Sequence, residues 1–374
     1  MPNRNIKVLS VFGTRPEATK MVPLVLAMQD EPGLDSYVCV TAQHRELLDQ
    51  VLTPFGITPS YDLNIMTIGQ SLTDVTNRVL SGLVPVLGDV KPDLLLVHGD
   101  TITTFAASLA AFFAKVSVGH VEAGLRTYDK YRPYPEEVNR KLVTAIADLY
   151  FAPTNQAREN LIKENVPEKA IYVTGNTAID FLKYAIVDNY RYECEALNSI
   201  STEKRIILMT AHRQENLGQP MENICKAVRR LVDDFPDTIL VWPVHPNRAV
   251  TETAHRLLSG HERILLTTPI SPFDMINMIK RSYMLLTDSG GLQEEAPAFD
   301  LPVLVLREVT ERPEGLTAGT LALAGVSEAG IYSNVAKLLT DSALYKKMAA
   351  APNPFGDGHA SGRIIKAIKE QIKC

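Results

Sequence analysis

Short apolar, β-rich runs alternate with longer amphipathic runs along almost the whole chain, and this alternation restricts the fold more than any other feature. Residues 6–12, 38–41, 93–97, 117–121, 150–153 and 171–174 read as strands. Helical patterns separate them at 20–29, 45–55, 72–87, 103–114, 136–148 and 156–164. A second series has strands at 205–210, 238–244, 264–267, 283–287 and 303–306, with helices at 221–234, 273–281, 293–299 and 334–339. Continuous apolar strands separated by helices predict parallel sheets covered on both faces. Two such series in 374 residues predict an α/β protein of two doubly wound, Rossmann-like domains facing a central cleft. The first is expected over 1–175 and the second over 176–358, with a closing helix in 359–374 that could belong to either.

Composition narrows the class. Hydrophobic residues make up 45% of the chain and charged residues 22%, as in globular proteins with an ordinary core. The net charge of −5 excludes a general coat for nucleic acid or anionic membranes, though it does not exclude a local cationic pocket. No apolar run approaches the roughly 18 residues of a membrane span, and no signal-peptide core is present, so a cytoplasmic protein is expected. Cys39, Cys194, Cys225 and Cys374 form no C-x-x-C pair and no zinc spacing, so neither a disulfide scaffold nor a metal site is expected. Cys39 and Cys225 read as buried thiols.

In doubly wound sheets ligands bind beyond the carboxyl ends of the strands, so the residues after each strand carry the functional information. The first strand runs into Gly13-Thr14-Arg15-Pro16-Glu17, where a tight turn, a helix start, Arg15 and Lys20 suit an anion; a plain strand–helix turn is the alternative. The segment Thr287-Asp288-Ser289-Gly290-Gly291 is the stronger signal. Two glycines let the backbone approach a phosphate, Ser289 adds a hydroxyl, and Glu295 lies where it can accept from ribose hydroxyls; glycines chosen only for packing are the alternative. No dinucleotide fingerprint or P-loop motif is present, so neither cofactor class is supported. Asp100, Glu122 and Glu136 sit at strand or helix edges with His98, His120 and Arg126 nearby. Each acid has a capping alternative, but together they suit general acid–base work. His212 with Arg213, and His245, end two strands of the second series, and Arg312 lies in a charged loop after its last strand.

Ordered across nearly the whole chain, these segments resemble the non-hydrolysing UDP-N-acetylglucosamine 2-epimerases. The resemblance rests on Phe12-Gly-Thr-Arg-Pro-Glu-Ala, Val97-His-Gly-Asp-Thr, Gly119-His-Val-Glu-Ala-Gly-Leu-Arg-Thr and Pro135-Glu-Glu-x-Asn-Arg. It continues through Thr174-Gly-Asn-Thr, Asp288-Ser-Gly-Gly-x-Gln-Glu-Glu-Ala-Pro, Thr310-Glu-Arg-Pro-Glu-Gly and Asn353-Pro-Phe-Gly-Asp-Gly. It implies a glycosyltransferase B type fold in which the closing helix, 359–374, packs back on the first domain, a homodimer, and reversible epimerisation at C2 of UDP-N-acetylglucosamine to UDP-N-acetylmannosamine, a precursor for cell-surface polysaccharides. The implied route is elimination of UDP to 2-acetamidoglucal and re-addition, with no cofactor and no metal. By resemblance Asp100, Glu122 and Glu136 match the catalytic carboxylates, with Arg15, Lys20 and His212 as further active-site residues. Arg15, His212, Ser289, Gly290, Gly291, Glu295 and Arg312 match contacts to UDP. Gln43, His44, Gln70, Glu136, Arg213 and His245 fit a site for a second UDP-N-acetylglucosamine that acts as activator; Gly69 stands where some members have Arg. A transferase on the same fold, a hydrolysing epimerase and a nucleotide-sugar sensor are the rival readings.

Overall fold

The computed structural model describes residues 4–42, 45–67 and 69–372. The chain forms two units: residues 1–184 with 355–374, and residues 185–354. The strands of the first are β1 (Ile6–Phe12), β2 (Leu34–Val40), β3 (Tyr61–Asp62), β4 (Leu94–His98), β5 (Ser117–Val121), β6 (Leu149–Ala152) and β7 (Ile171–Val173). They make one parallel seven-stranded sheet in the order β3-β2-β1-β4-β5-β6-β7. The second unit holds β8 (Arg205–Thr210), β9 (Thr238–Pro243), β10 (Ile264–Thr267), β11 (Met284–Thr287), β12 (Val303–Val305) and β13 (Leu321–Leu323). These give a parallel six-stranded sheet in the order β10-β9-β8-β11-β12-β13. Two parallel, helix-covered sheets of this Rossmann-like kind are the fold class that the alternation predicts.

The sequence explains why the strands are parallel and central. All five residues of β4 are buried, as are Leu285 and Leu286 in β11, so both faces of these strands lie under helices. Trp242 of β9 is fully buried in the second core, among Met221, Ile224 and Val228 of the helix Gln219–Asp234. That helix repeats its apolar residues at helical spacing and leaves its charges outside.

The first unit ends one helix later than Gly175. The helix Thr177–Ala185 stays with it because Asp180, buried, accepts hydrogen bonds from Ala360 N and Ser361 N at 3.1 and 2.8 Å. Phe181 stacks edge-on against Phe55, and Asn176 N donates to Phe355 O at 2.7 Å. The helix Ala360–Gln371 lies against the helix Arg15–Gln29, burying Ile364, Ile365 and Ile368, and Lys369 pairs with Glu31 at 2.5 Å. The polar stretch after Tyr184 belongs to the second unit. There Asp274, buried, accepts from Glu193 N and Cys194 N at 3.0 Å each. Among the described residues no helix is long and apolar enough to cross a membrane.

Candidate active site

Each sheet reverses its strand order once, between β1 and β4 in the first unit and between β8 and β11 in the second. Helices following neighbouring strands there leave on opposite faces, opening a crevice at the carboxyl ends. In the first unit this crevice is a cavity of about 470 Å³ lined by Thr14, Arg15, Pro16, Glu17, Lys20, His98, Asp100, Thr101 and Glu122. Arg15 and Lys20 come from the helix after β1, Asp100 follows β4 and Glu122 follows β5.

Gly13 is obligatory at the mouth of this turn. A Cβ there would overlap Thr41 Oγ1, a hydroxyl tied to Thr103 Oγ1 at 3.1 Å. Glu17 then organises the crevice. Its Oε2 accepts from Gly13 N, Thr14 N and Thr14 Oγ1 at 3.0, 2.8 and 2.8 Å, closing a capping box with Thr14. Its Oε1 accepts from Thr101 Oγ1 and Thr104 Oγ1 at 2.7 and 3.2 Å, so one buried carboxylate ties the β1 turn to the β4 turn. Sequence reading passed over Glu17, although Thr14-x-x-Glu17 is a capping-box signature legible in the chain.

The acids have distinct surroundings. Thr101, rather than Asp100, caps the helix Ile102–Phe113 by accepting from Thr104 N, so capping does not account for Asp100. Asp100 Oδ2 receives Arg140 Nε at 2.9 Å and lies 2.7 Å from Arg140 Nη2, while Asn139 Nδ2 donates to its backbone carbonyl at 2.8 Å. Glu122 has a left-handed backbone, φ 63°, uncommon for a residue with a side chain. It is hydrogen-bonded to Lys20, and His98 Nε2 lies 3.7 Å from its Oε2. Burial pushes the Glu122 carboxyl up, but the Lys20 ammonium and His98 outweigh burial and hold it well below the usual range. His120, by contrast, is driven down to about 4 by burial and meets Gly99 O at 2.7 Å through Nε2, so it is a neutral structural ring at pH 7.

Not every expected residue joins this cavity. Glu136 is not among its lining residues; it opens the helix Glu136–Ile146, and its buried Oε2 has no hydrogen-bond partner among the described residues. The neighbouring Glu137 is the structural acid, fully buried and accepting from Thr127 N, Tyr128 N and Arg140. Arg126 also leaves the expected cluster, because its guanidinium grips Glu164 through Nε and Nη2 at 2.7 and 2.6 Å. Gln70 Oε1 is buried with no hydrogen-bond partner among the described residues, and Gln43 and His44 lie outside the described residues, as does Cys374. Cys39 and Cys225 are buried free thiols, both raised to about 12 by burial.

At the second switch point β8 ends in His212 and Arg213, and β11 ends in Asp288, Ser289, Gly290 and Gly291. The Thr210 and Thr287 hydroxyls join the two strand ends at 2.7 Å. Neither glycine is demanded by the protein's own packing. A Cβ on Gly290 would meet nothing nearer than Arg312 Nη2 at 3.5 Å, and one on Gly291 nothing nearer than Glu295 Oε1 at 3.7 Å. Neither backbone is left-handed. This argues against the packing explanation, and it leaves the Gly291 backbone exposed next to the buried Gly290, with Glu295 and Arg312 beside them. Arg312 is itself hydrogen-bonded to Glu294 and so is held in place beside Gly290. The exposed His245 ring stacks on His212 with centroids 5.2 Å apart and planes 15° from parallel. Among the described residues no group of three or more His, Cys, Asp or Glu is placed to hold a metal ion.

A family model described as UDP-N-acetylglucosamine 2-epimerase matches residues 26–369. The chain belongs to the UDP-N-acetylglucosamine 2-epimerase family. It is 54% identical over 365 residues to a Bacillus subtilis UDP-N-acetylglucosamine 2-epimerase, covering 98% of this chain and 95% of that protein. Its fold matches the crystal structure of a putative UDP-N-acetylglucosamine 2-epimerase from Listeria monocytogenes with a TM-score of 0.93 and 51% identity, covering 98% of this chain and 96% of the other. A Neisseria meningitidis UDP-GlcNAc 2-epimerase bound to UDP-GlcNAc matches with a TM-score of 0.84 and 45% identity, over 98% of this chain and all (100%) of that one. The two solved structures match this chain's fold, and the Neisseria meningitidis one holds UDP-GlcNAc.

Proposed function

We propose that this chain interconverts UDP-N-acetylglucosamine and UDP-N-acetylmannosamine. The observation that carries the proposal is the first unit's crevice, where Arg15, the Lys20–Glu122 pair and Asp100 line one cavity. The C2 proton of the sugar is too weakly acidic for simple deprotonation, so elimination is the better route. The C1–O bond breaks with its electron pair leaving on UDP, a carboxylate takes the C2 proton, and 2-acetamidoglucal forms. Protonation of C2 from the opposite face and re-addition of UDP at C1 complete the inversion. Asp100, Glu122 and Glu136 are the proposed proton-exchanging acids. Arg15, with no ion-pair partner among the described residues, and His212 are proposed to stabilise the departing diphosphate, with Lys20 keeping Glu122 ionised. Ser289, Gly290, Gly291, Glu295 and Arg312 are proposed to hold UDP, a reading supported by glycines that packing does not require. Turnover in deuterated water is expected to place deuterium at C2 of both sugars. Turnover without exchange refutes the route, and release of free N-acetylmannosamine or transfer to an acceptor refutes the reaction.

We also propose activation by a second UDP-N-acetylglucosamine at Gln43, His44, Gln70, Glu136, Arg213 and His245. Its support is two buried oxygens that have no hydrogen-bond partner among the described residues, Gln70 Oε1 and Glu136 Oε2. Rate against substrate should be sigmoidal, and a hyperbola that Glu136→Gln leaves unchanged removes the second site. A homodimer is proposed as well. The helices Leu72–Val90, Ile102–Phe113 and Glu136–Ile146 pack side by side and expose Val84, Phe112, Phe113 and Leu142, with Phe113 at 69%. Light scattering should return twice the monomer mass; a monomer at assay concentration overturns this.

A further inference from the structure

Asp288 belongs to none of the roles assigned so far, yet its two carboxylate oxygens are treated very differently. The residue is fully buried, 0% exposed. Its Oδ2 accepts from His212 N and Arg213 N at 2.8 Å each and from Asn216 Nδ2 at 2.9 Å. Its Oδ1 takes no hydrogen bond from any of these, and lies 3.2 Å from His212 Nδ1. A buried carboxylate oxygen with no donor among the described residues is costly, and a proton on Nδ1, 3.2 Å away, meets the need after a small turn of the His212 ring that leaves the backbone in place. The backbone leaves little freedom to avoid the pairing. The three bonds at Oδ2 fasten the β8 turn to the end of β11, and the Thr210–Thr287 hydroxyl contact holds the strands beneath. On its other side the His212 ring is stacked on His245, which limits how far the ring can turn.

We infer that Asp288 is a positioning residue that acts through His212. It holds the proton of the neutral ring on Nδ1, and so makes Nε2 the nitrogen presented to a nucleoside diphosphate. A proton gained at Nε2 yields an imidazolium whose charge Asp288 balances and whose remaining N–H is directed at a phosphate oxygen. The ring tautomer is a property of the protein alone. The direction of Nε2 toward a diphosphate rests on the reading of His212 given under the proposed function.

The test separates these two layers. Nitrogen-15 spectra of histidine-labelled protein, with the His212 signals assigned by their loss in His212→Ala, should show the Nδ1–H form well above the ordinary histidine titration range of about 6.5. In Asp288→Asn an amide N–H faces Nδ1, and the proton should move to Nε2. A wild-type ring already carrying its proton on Nε2 overturns the proposal, and this measurement needs no variant to fold at position 288. For the second layer, Asp288→Asn should weaken UDP binding about tenfold, because the Nε2–H that remains belongs to a neutral ring and lacks the imidazolium charge that Asp288 balances. The same change in His212→Ala protein should alter the affinity less than about twofold, as expected for residues acting as one unit. Equal losses in both backgrounds would make Asp288 merely a fastener of the turn. Absence of deuterium exchange at C2 with the tautomer as stated would instead remove the epimerase reading and leave the Asp288–His212 pair standing.

Discussion

Gly290→Ala separates ligand binding from packing because the two make opposite predictions about stability. The added methyl would contact Arg312 Nη2 at 3.5 Å, with Arg312 Cζ and Glu311 Oε2 both at 3.8 Å, which is ordinary van der Waals contact. Gly290 opens the helix Gly290–Glu295 and its φ is not left-handed, so alanine fits the backbone without strain. Exchanging glycine for alanine in a helix contributes up to about 1 kcal/mol by removing conformational freedom from the unfolded chain. In a unit of this size that raises the melting temperature by roughly 2–4 °C. A diphosphate resting on the Gly290 backbone would, however, meet the methyl directly. UDP affinity should fall at least about tenfold, equivalent to about 1.4 kcal/mol. Scanning calorimetry of the free protein and titration calorimetry with UDP read the two effects separately. A variant that melts lower, or that binds UDP as tightly as the parent, refutes the assignment of the glycines to the ligand.

Two further outcomes follow from the first crevice. Asp100→Asn keeps an oxygen for Arg140 but loses the proton-accepting carboxylate; turnover should drop by about 10²-fold or more while UDP affinity changes less than about threefold, and equal losses in kinetics and calorimetry would make Asp100 structural. Lys20→Met removes the cation that outweighs burial at Glu122. Because the folded value of Glu122 is depressed, its ionised form stabilises the protein above the unfolded carboxylate value of about 4.3, and the contribution is lost as pH falls through the lowered folded value. Without Lys20 the folded value rises. The acid unfolding midpoint, followed by circular dichroism, should therefore move to higher pH, and an unmoved midpoint counts against the pair.

The architecture was legible because it is written in repetition. β1, β5 and β8 lie where their apolar runs place them, since strands inside a sheet, covered on both faces, keep most of their positions apolar. β3 and β13, with only two and three residues, carry no such signature and are defined by pairing with β2 and β12. The boundary at Gly175 was placed one helix early for the same reason. What retains the helix Thr177–Ala185 in the first unit is Asp180 meeting residues 180 and 181 positions away, a partnership no local pattern announces. Residue types after strands pointed to Asp100 and Glu122, which line the first crevice, and to Ser289–Gly291, which follow β11. Composition could not tell Glu136 from Glu137 or free Arg126 from the cluster, because those distinctions lie in which neighbour each side chain reaches. Glu17 and Asp288 were hidden differently. Both are buried acids whose partners are largely backbone N–H groups and hydroxyls, groups every sequence contains.

The return of residues 355–374 to the first unit has a practical reading in protein engineering. Residues 185–354 form one uninterrupted segment, whereas the first unit is made from two pieces. The edges of those pieces are neighbours: Asn176 N bonds Phe355 O, and Lys183 Nζ reaches Gly358 O. A few residues of flexible linker between positions 184 and 355 would therefore replace the whole second unit. Such a miniature keeps the helix Ala360–Gln371 over the helix Arg15–Gln29, and with it the buried isoleucines on which the first crevice is supported. Simple truncation at residue 184 would strip that cover away, so the two designs, identical in the crevice residues, should differ in whether they fold.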